Sequence, residues 1–216
     1  MSAFSKKSTS LSLKIFMALA ILASVLIAVP TLSGAISVTP AANPAWPNKC
    51  GLKIGLLVDR SNSIDTTEGG QLKAAATGFV DALAGTNSQI AVAQFRKTAS
   101  QTLGLTSITL PAGATTVKNT INGYTFGTSD SDGSTNWEAA FYSQQVVSAD
   151  IIVILTDGNP TKRGIDGSGG NGSSDPSDLN IDAGITRANE LKAQGKRIVA
   201  VGIGDDLDVN NLKAVS

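Results

Sequence analysis

The sequence predicts an α/β domain built on a doubly wound, mostly parallel central sheet with helices on both faces. Three observations carry this. Short β-rich apolar runs alternate with helix-like stretches; one run, residues 151–155, is apolar at every position; and the stretch between the first two runs repeats its apolar residues at helical spacing. A strand-length run with no polar residue suits a central parallel strand, which helices cover on both sides.

The expected strands are residues 53–58, 89–95, 102–109, 150–155 and 197–203. Between the first two, Leu72, Ala75, Ala76, Phe79, Val80 and Leu83 form a helical stripe, and Gly85 supplies a C-terminal stop. Weaker helical patterns cover residues 117–121 and 137–146, and a clearer one covers 181–191 and ends at Gly195. These stripes, and Trp137 with them, are expected to pack the core. Residues 158–178 hold six glycines among Ser and Asp and predict a long mobile surface loop. Its Asp166, Asp175 and Asp178 do not have the spacing of a helix-loop-helix calcium site.

The length of 216 residues suits one such domain with appendages. With 42% hydrophobic and 16% charged residues there is enough apolar side chain to offset the ordering entropy of a packed core. Residues 15–29 are uncharged and apolar, follow Lys6, Lys7 and Lys14, and precede Pro30 and the small residues Ser33, Gly34 and Ala35. Residues 1–35 therefore read as a secretory signal peptide cleaved near Ala35. The alternative is a retained membrane anchor, since residues 15–32 approach the roughly 18 apolar residues that span a bilayer. Either reading puts the remainder outside the cytoplasm, secreted or at the cell surface, with membrane contact only through that segment if it is retained. Residues 36–49, with Pro40, Pro44 and Pro47, predict an extended linker, so the domain is expected to span residues 50–216.

Composition excludes several chemistries. No histidine and a single cysteine, Cys50, leave no means to assemble His/Cys zinc sites, Ser-His-Asp triads or Cys-His dyads. Without residues 1–35 the balance is 14 basic against 17 acidic residues, with no basic cluster to suit nucleic acid. An odd cysteine in an exported chain implies a free thiol or a partner elsewhere.

The remaining chemistry is oxygen chemistry. The first strand ends in Asp59-Arg60-Ser61-Asn62-Ser63, and the fourth ends in Thr156-Asp157-Gly158. In the common doubly wound order those two strands are neighbours at the switch point, so Asp59 and Asp157 face one crevice. The polar loop from Asp132 to Glu138 offers the hydroxyl of Thr135. A few hard oxygen donors suit Mg²⁺ or Mn²⁺, completed by water. Where only two carboxylates approach the ion, one of them through water, it keeps positive character and seeks an anionic ligand. Each fragment alone also reads as a helix cap or a turn; their order and strand context make the combination specific.

These residues resemble the von Willebrand factor A family, whose metal ion-dependent adhesion site combines a D-x-S-x-S motif, a later Thr and a later Asp. The likeness covers residues 50–216. It implies that Ser61, Ser63 and Thr135 contact the metal through hydroxyls, and that Asp59 and Asp157 hold it directly or through water. It also implies a non-enzymatic adhesion module, similar to those of exported bacterial surface proteins, engaging a protein partner through a Glu or Asp side chain. Family members continue into a further edge strand and C-terminal helix, so the last strand and helix of the fold are expected to be missing here. Two other readings carry weight. A phosphoryl-transfer enzyme of the haloacid dehalogenase kind shares the first Asp, but its second Asp corresponds to Ser61, which cannot serve as acid or base at neutral pH. A structural stalk would use the metal only to tie loops together.

Overall fold

The computed structural model describes residues 37–129, 131–144, 148–170, 178–205 and 207–216. The expected leader, residues 1–35, lies outside them. Five strands, β1 (Lys53–Asp59), β2 (Gln89–Phe95), β3 (Ala99–Ser107), β4 (Ile151–Thr156) and β5 (Arg197–Gly202), form one sheet in the order β3-β2-β1-β4-β5. All pairings are parallel except β2 with β3, which form an antiparallel hairpin. This is the doubly wound, mostly parallel sheet that the alternating runs predict.

Among the described residues five helices cover it: α1 (Thr66–Leu83), α2 (Pro111–Asn122), α3 (Trp137–Ser143), α4 (Asp178–Ala193) and α5 (Val209–Val215). Helix α1 starts at a capping box. The Asp65 carboxylate accepts from the backbone N–H of Thr67 and Glu68, and Glu68 accepts in return from the Asp65 N–H. Helix α2 has Pro111 in its first turn, where the missing N–H costs nothing. Helix α5, absent from the sequence reading because seven residues give little periodicity, begins at Asp208, whose side chain accepts from Asn210 and Asn211 N–H.

Strand alternation divides the core into two layers. Ile54, Leu56 and Val58 of β1 face Leu72, Val80 and Ile121 of α1 and α2. On the opposite face, Leu57 packs with Trp137 and Phe141 of α3 and with Ile185 and Leu191 of α4. Trp137 is fully buried, and a Cβ on Gly184 would stand 3.0 Å from its own, so α4 reaches α3 closely only because residue 184 is glycine. Strand β4 is buried at all six positions, as its apolar run requires.

Two elements differ in extent from the sequence reading. The third strand runs over Ala99–Ser107 rather than 102–109, because it is a half-exposed edge strand whose register is set by pairing with β2 rather than by an apolar pattern. Helix α3 ends at Ser143, short of the expected 146; residues 145–147 lie outside the described residues. The first part of the glycine-rich stretch after β4 is tied down. Arg163 and Gly169 exchange backbone hydrogen bonds at 3.0 Å, Pro160 and Gly167 are buried, and the Gly164 N–H donates to Glu138 at 2.6 Å. Residues 171–177 of that loop lie outside the described residues. Residues 37–46 form neither helix nor strand and run hydrogen-bonded along α4 and the start of β5.

Candidate metal centre

A parallel strand ends where its last buried side chain meets solvent, and β1 and β4 end side by side, with Val58 paired to Leu155. The next residue on β1 is Asp59, and the next two on β4 are Thr156 and Asp157. All three are buried: Asp59 and Thr156 are 0% exposed and Asp157 is 5% exposed. Carboxylates are almost never buried unless something compensates their charge, which makes this pair the chemical anomaly of the domain.

The turn after β1 is folded by the residues that compose it. The Arg60 N–H extends the ladder to the Phe95 carbonyl at 2.9 Å, and the Ser61 N–H donates to Asp59 Oδ1 at 2.8 Å. The Ser61 and Ser63 hydroxyls meet at 2.9 Å, which brings the alternate positions of the D-x-S-x-S segment onto one side. Ile64, fully buried, anchors the far end of the turn in the core. Ser61 is buried and Ser63 exposed, so the hydroxyl pair lies at the boundary with solvent.

Thr135, 4% exposed, reaches the same region on a loop stitched to both strand ends. The Asn62 N–H donates to the Gly133 carbonyl at 2.6 Å, joining that loop to the β1 turn. On its other side, the Thr135 N–H donates to the Thr161 hydroxyl at 3.1 Å, and the Thr135 carbonyl accepts from Thr161 and Lys162 N–H at 2.8 and 3.0 Å. The fully buried Asn136 caps α3 by accepting from Ala139 N–H, while its amide donates to the carbonyls of Lys97 and Gly164, each at 2.8 Å. The structure thus gathers Asp59, Ser61 and Ser63 in one turn, Asp157 on the neighbouring strand end, and Thr135 on the loop that bridges them.

Sequence reasoning missed the residues that hold this set in place. The Thr156 hydroxyl donates to Asp59 Oδ2 at 2.6 Å, so both oxygens of Asp59 are engaged. Thr156 had a readable signal, a polar residue closing an otherwise apolar central strand. Asn136 and Thr161 had none, since their roles depend on distant loops.

Electrostatics favour a cation here. Burial, and then repulsion from Asp157, push Asp59 up to about 7, against the lowering effect of the hydrogen bonds from Thr156 and Ser61. A divalent ion between the strand ends would relieve both causes. The donor set fits a hard ion: two carboxylates and three hydroxyls, all oxygen. Among the described residues no three His, Cys, Asp or Glu side chains cluster, so the two carboxylates would match the charge of such an ion without exceeding it.

Comparison with known protein families matches residues 54–216 to the von Willebrand factor type A domain. The chain belongs to this family. No curated protein matches it. Among solved structures, the A domain resembles the pilus adhesin SpaC from Lactobacillus rhamnosus GG, with 16% identity and a TM-score of 0.57 over 82% of this chain and 28% of that one. It also resembles the mussel byssus proximal thread matrix protein 1 with a zinc-occupied MIDAS motif, with 19% identity and a TM-score of 0.53 over 81% and 43% of the two chains. A third is the manganese-loaded TRAP protein of Plasmodium vivax, with 18% identity and a TM-score of 0.55 over 77% and 63%. The A domain therefore spans less than half the length of the adhesin and of the thread protein. At these identities the likeness establishes the fold.

Proposed function

We propose that Asp59, Ser61, Ser63, Thr135 and Asp157 hold one divalent cation, Mg²⁺ or Mn²⁺, and that the chain is an exported adhesion module that captures a protein ligand through a Glu or Asp side chain. The observation that carries this is the pair of buried carboxylates at adjacent strand ends, Asp59 being pushed up to about 7. The likeness in fold to a pilus adhesin and to zinc- and manganese-bearing proteins supports it, as does the leader expected over residues 1–35. When bound, the ion would supply a Lewis-acidic position for a ligand carboxylate. The chain's own work is to keep that position electron-poor. Thr156 and the Ser61 N–H engage Asp59, the three hydroxyls are neutral donors, and the stitched loops hold them near one another.

Thermal unfolding of the full-length chain with Mg²⁺, Mn²⁺ or chelator, for wild type and Asp157→Ala, tests the site. An ion that binds only the folded state, at a hundred times its dissociation constant, stabilises by about 2.7 kcal/mol. That gain is expected in wild type and absent in the variant; no metal response in a cooperatively folding wild type overturns the proposal. Adding acetate as a carboxylate probe separates adhesion from a stalk. An open metal position makes acetate tighten metal binding and metal tighten acetate binding by the same factor, whereas an ion that only ties loops together shows no coupling.

A further inference from the structure

The turn between β2 and β3 closes against the two segments that carry the metal centre. The Arg96 N–H donates to the Thr98 carbonyl at 2.8 Å, and the Lys97 N–H to the Asp132 carbonyl at 3.1 Å. With the Asn136 amide also on the Lys97 carbonyl, the turn is fixed to the loop that presents Thr135. Arg60, the residue after Asp59, donates its N–H to the Phe95 carbonyl and faces the same turn. Between them lies a cavity of about 160 Å³, lined by Arg60, Gln94, Arg96, Thr98 and Ser100, with Asp132 at its rim. Whole small-molecule sites begin at roughly 300 Å³, so this one suits a single side chain of a larger ligand.

The lining is rich in donors that are already held in place. Arg60 donates through Nε and Nη2 to the Thr125 carbonyl, at 3.3 and 3.1 Å, through Nη2 to the Thr125 hydroxyl at 3.1 Å, and through Nη1 to Gln94 Oε1. Its guanidinium also stacks on Tyr124, 5.2 Å from the ring centroid. These acceptors are neutral, so they orient the guanidinium without cancelling its charge. Gln94 Nε2 in turn donates to the Ser100 hydroxyl at 3.3 Å, which leaves the hydroxyl its own hydrogen to donate. Arg96 adds a second, half-buried guanidinium. The rim carboxylate of Asp132 is 68% exposed and has Lys97 at 3.9 Å, so water and that ammonium screen it. Among the described residues, two arginines and Lys97 stand here against one aspartate.

We propose that this cavity is an anion subsite of the ligand-binding face, resting on the metal reading above for the first carboxylate, and that it takes a second carboxylate from the same ligand segment. In the ladder Asp59 is the direct partner of Phe95, so Arg96 lies one strand spacing across and one residue along, about 6 Å from Asp59 between Cα atoms. Acidic residues at alternate positions of an extended chain project from one side about 7 Å apart, which matches that step. The partner is therefore a segment with two acidic side chains separated by one residue. One of them meets the ion and the other meets Arg60 and Arg96. Because Arg60 is fixed beforehand, little side-chain freedom is lost when the second acid docks.

The probes are three capped peptides, Ac-Glu-Ala-Glu-NH2 and its two versions with either Glu replaced by Gln, titrated into the full-length chain in mild detergent. In saturating Mg²⁺ the diacid is expected to bind the wild type on the order of tenfold more tightly than either monoacid. Arg96→Gln is expected to remove that gain and leave the metal-induced rise in Tm in place. Asp132→Asn, which removes the rim carboxylate, is expected to enlarge the gain, a result that damage to the hairpin would not give. In chelator, the diacid at millimolar concentration is expected to shift the amide resonances of Thr98 and Ser100 in wild type and not in Arg96→Gln. That arm needs no metal, so a wild type without any metal response would sink the metal reading while these shifts still decide the subsite. The proposal is overturned if the diacid binds a metal-responsive wild type no better than the monoacids, if Arg96→Gln keeps the gain, if Asp132→Asn weakens it, or if Thr98 and Ser100 do not respond in chelator.

Discussion

Asp157→Asn should stabilise the metal-free chain and abolish its response to metal, two effects of opposite consequence from one nearly isosteric change. Moving Asp59 from its ordinary 3.8 to about 7 corresponds to about 4 kcal/mol, at about 1.4 kcal/mol for each tenfold in proton affinity. Burial is the larger cause and Asp157 the second, so removing the Asp157 charge should return less than half of that, about 1–2 kcal/mol near pH 8. For a domain of this size the gain corresponds to a rise in Tm of about 2–8 °C in chelator. Saturating Mg²⁺ or Mn²⁺ should raise the wild-type Tm by about 5–10 °C, from the 2.7 kcal/mol available at a hundred times the dissociation constant, and leave the variant unmoved. Circular dichroism melts in chelator and in metal, at pH 8, give all four values. A variant that is less stable than wild type in chelator, or that keeps the metal-induced rise, would refute the view that two buried, mutually repelling carboxylates create the site.

The same electrostatics set a pH dependence. Because the folded form of Asp59 holds its proton more tightly than the unfolded form, its contribution is fully present below about pH 4 and is lost as pH rises to about 7; the stability difference between wild type and Asp59→Asn in chelator should trace that window, and metal should flatten it. Thr156→Val keeps the shape of the strand end but removes the hydroxyl that donates to Asp59 Oδ2, and should cost about 1–3 kcal/mol in denaturant unfolding and weaken metal binding measured by calorimetry. Trp137→Ala empties the packing between α3 and α4 and should cost about 3–5 kcal/mol, read from the urea midpoint, with a folded fraction that still responds to metal.

Much of this was legible in the sequence for local reasons. The apolar run at β4 and the helical stripe ending at Gly85 report burial directly, because which face a side chain occupies follows from the period of the element it sits on. The D-x-S-x-S turn was legible because alternate positions in one turn share a side, and the Ser61–Ser63 contact shows that they do. By itself, then, the sequence determined the fold class, the strands that matter and the residue types available for chemistry.

The tertiary structure decided what depends on pairing between distant segments. The start of β3 follows from its ladder with β2, since an edge strand has little apolar pattern of its own. The bond from Thr156 to Asp59 spans 97 residues, and the bond from Thr135 to Thr161 joins two loops that neither sequence predicts to meet. The segment of residues 37–46 is the plainest case. Its prolines announce an extended segment, but hydrogen bonds to side chains 145 to 155 positions away determine where it lies, and those carry no periodic trace in the chain. Burial writes a pattern into a sequence because it acts on many residues at regular intervals; a single polar contact between remote residues becomes visible only once the chain is folded.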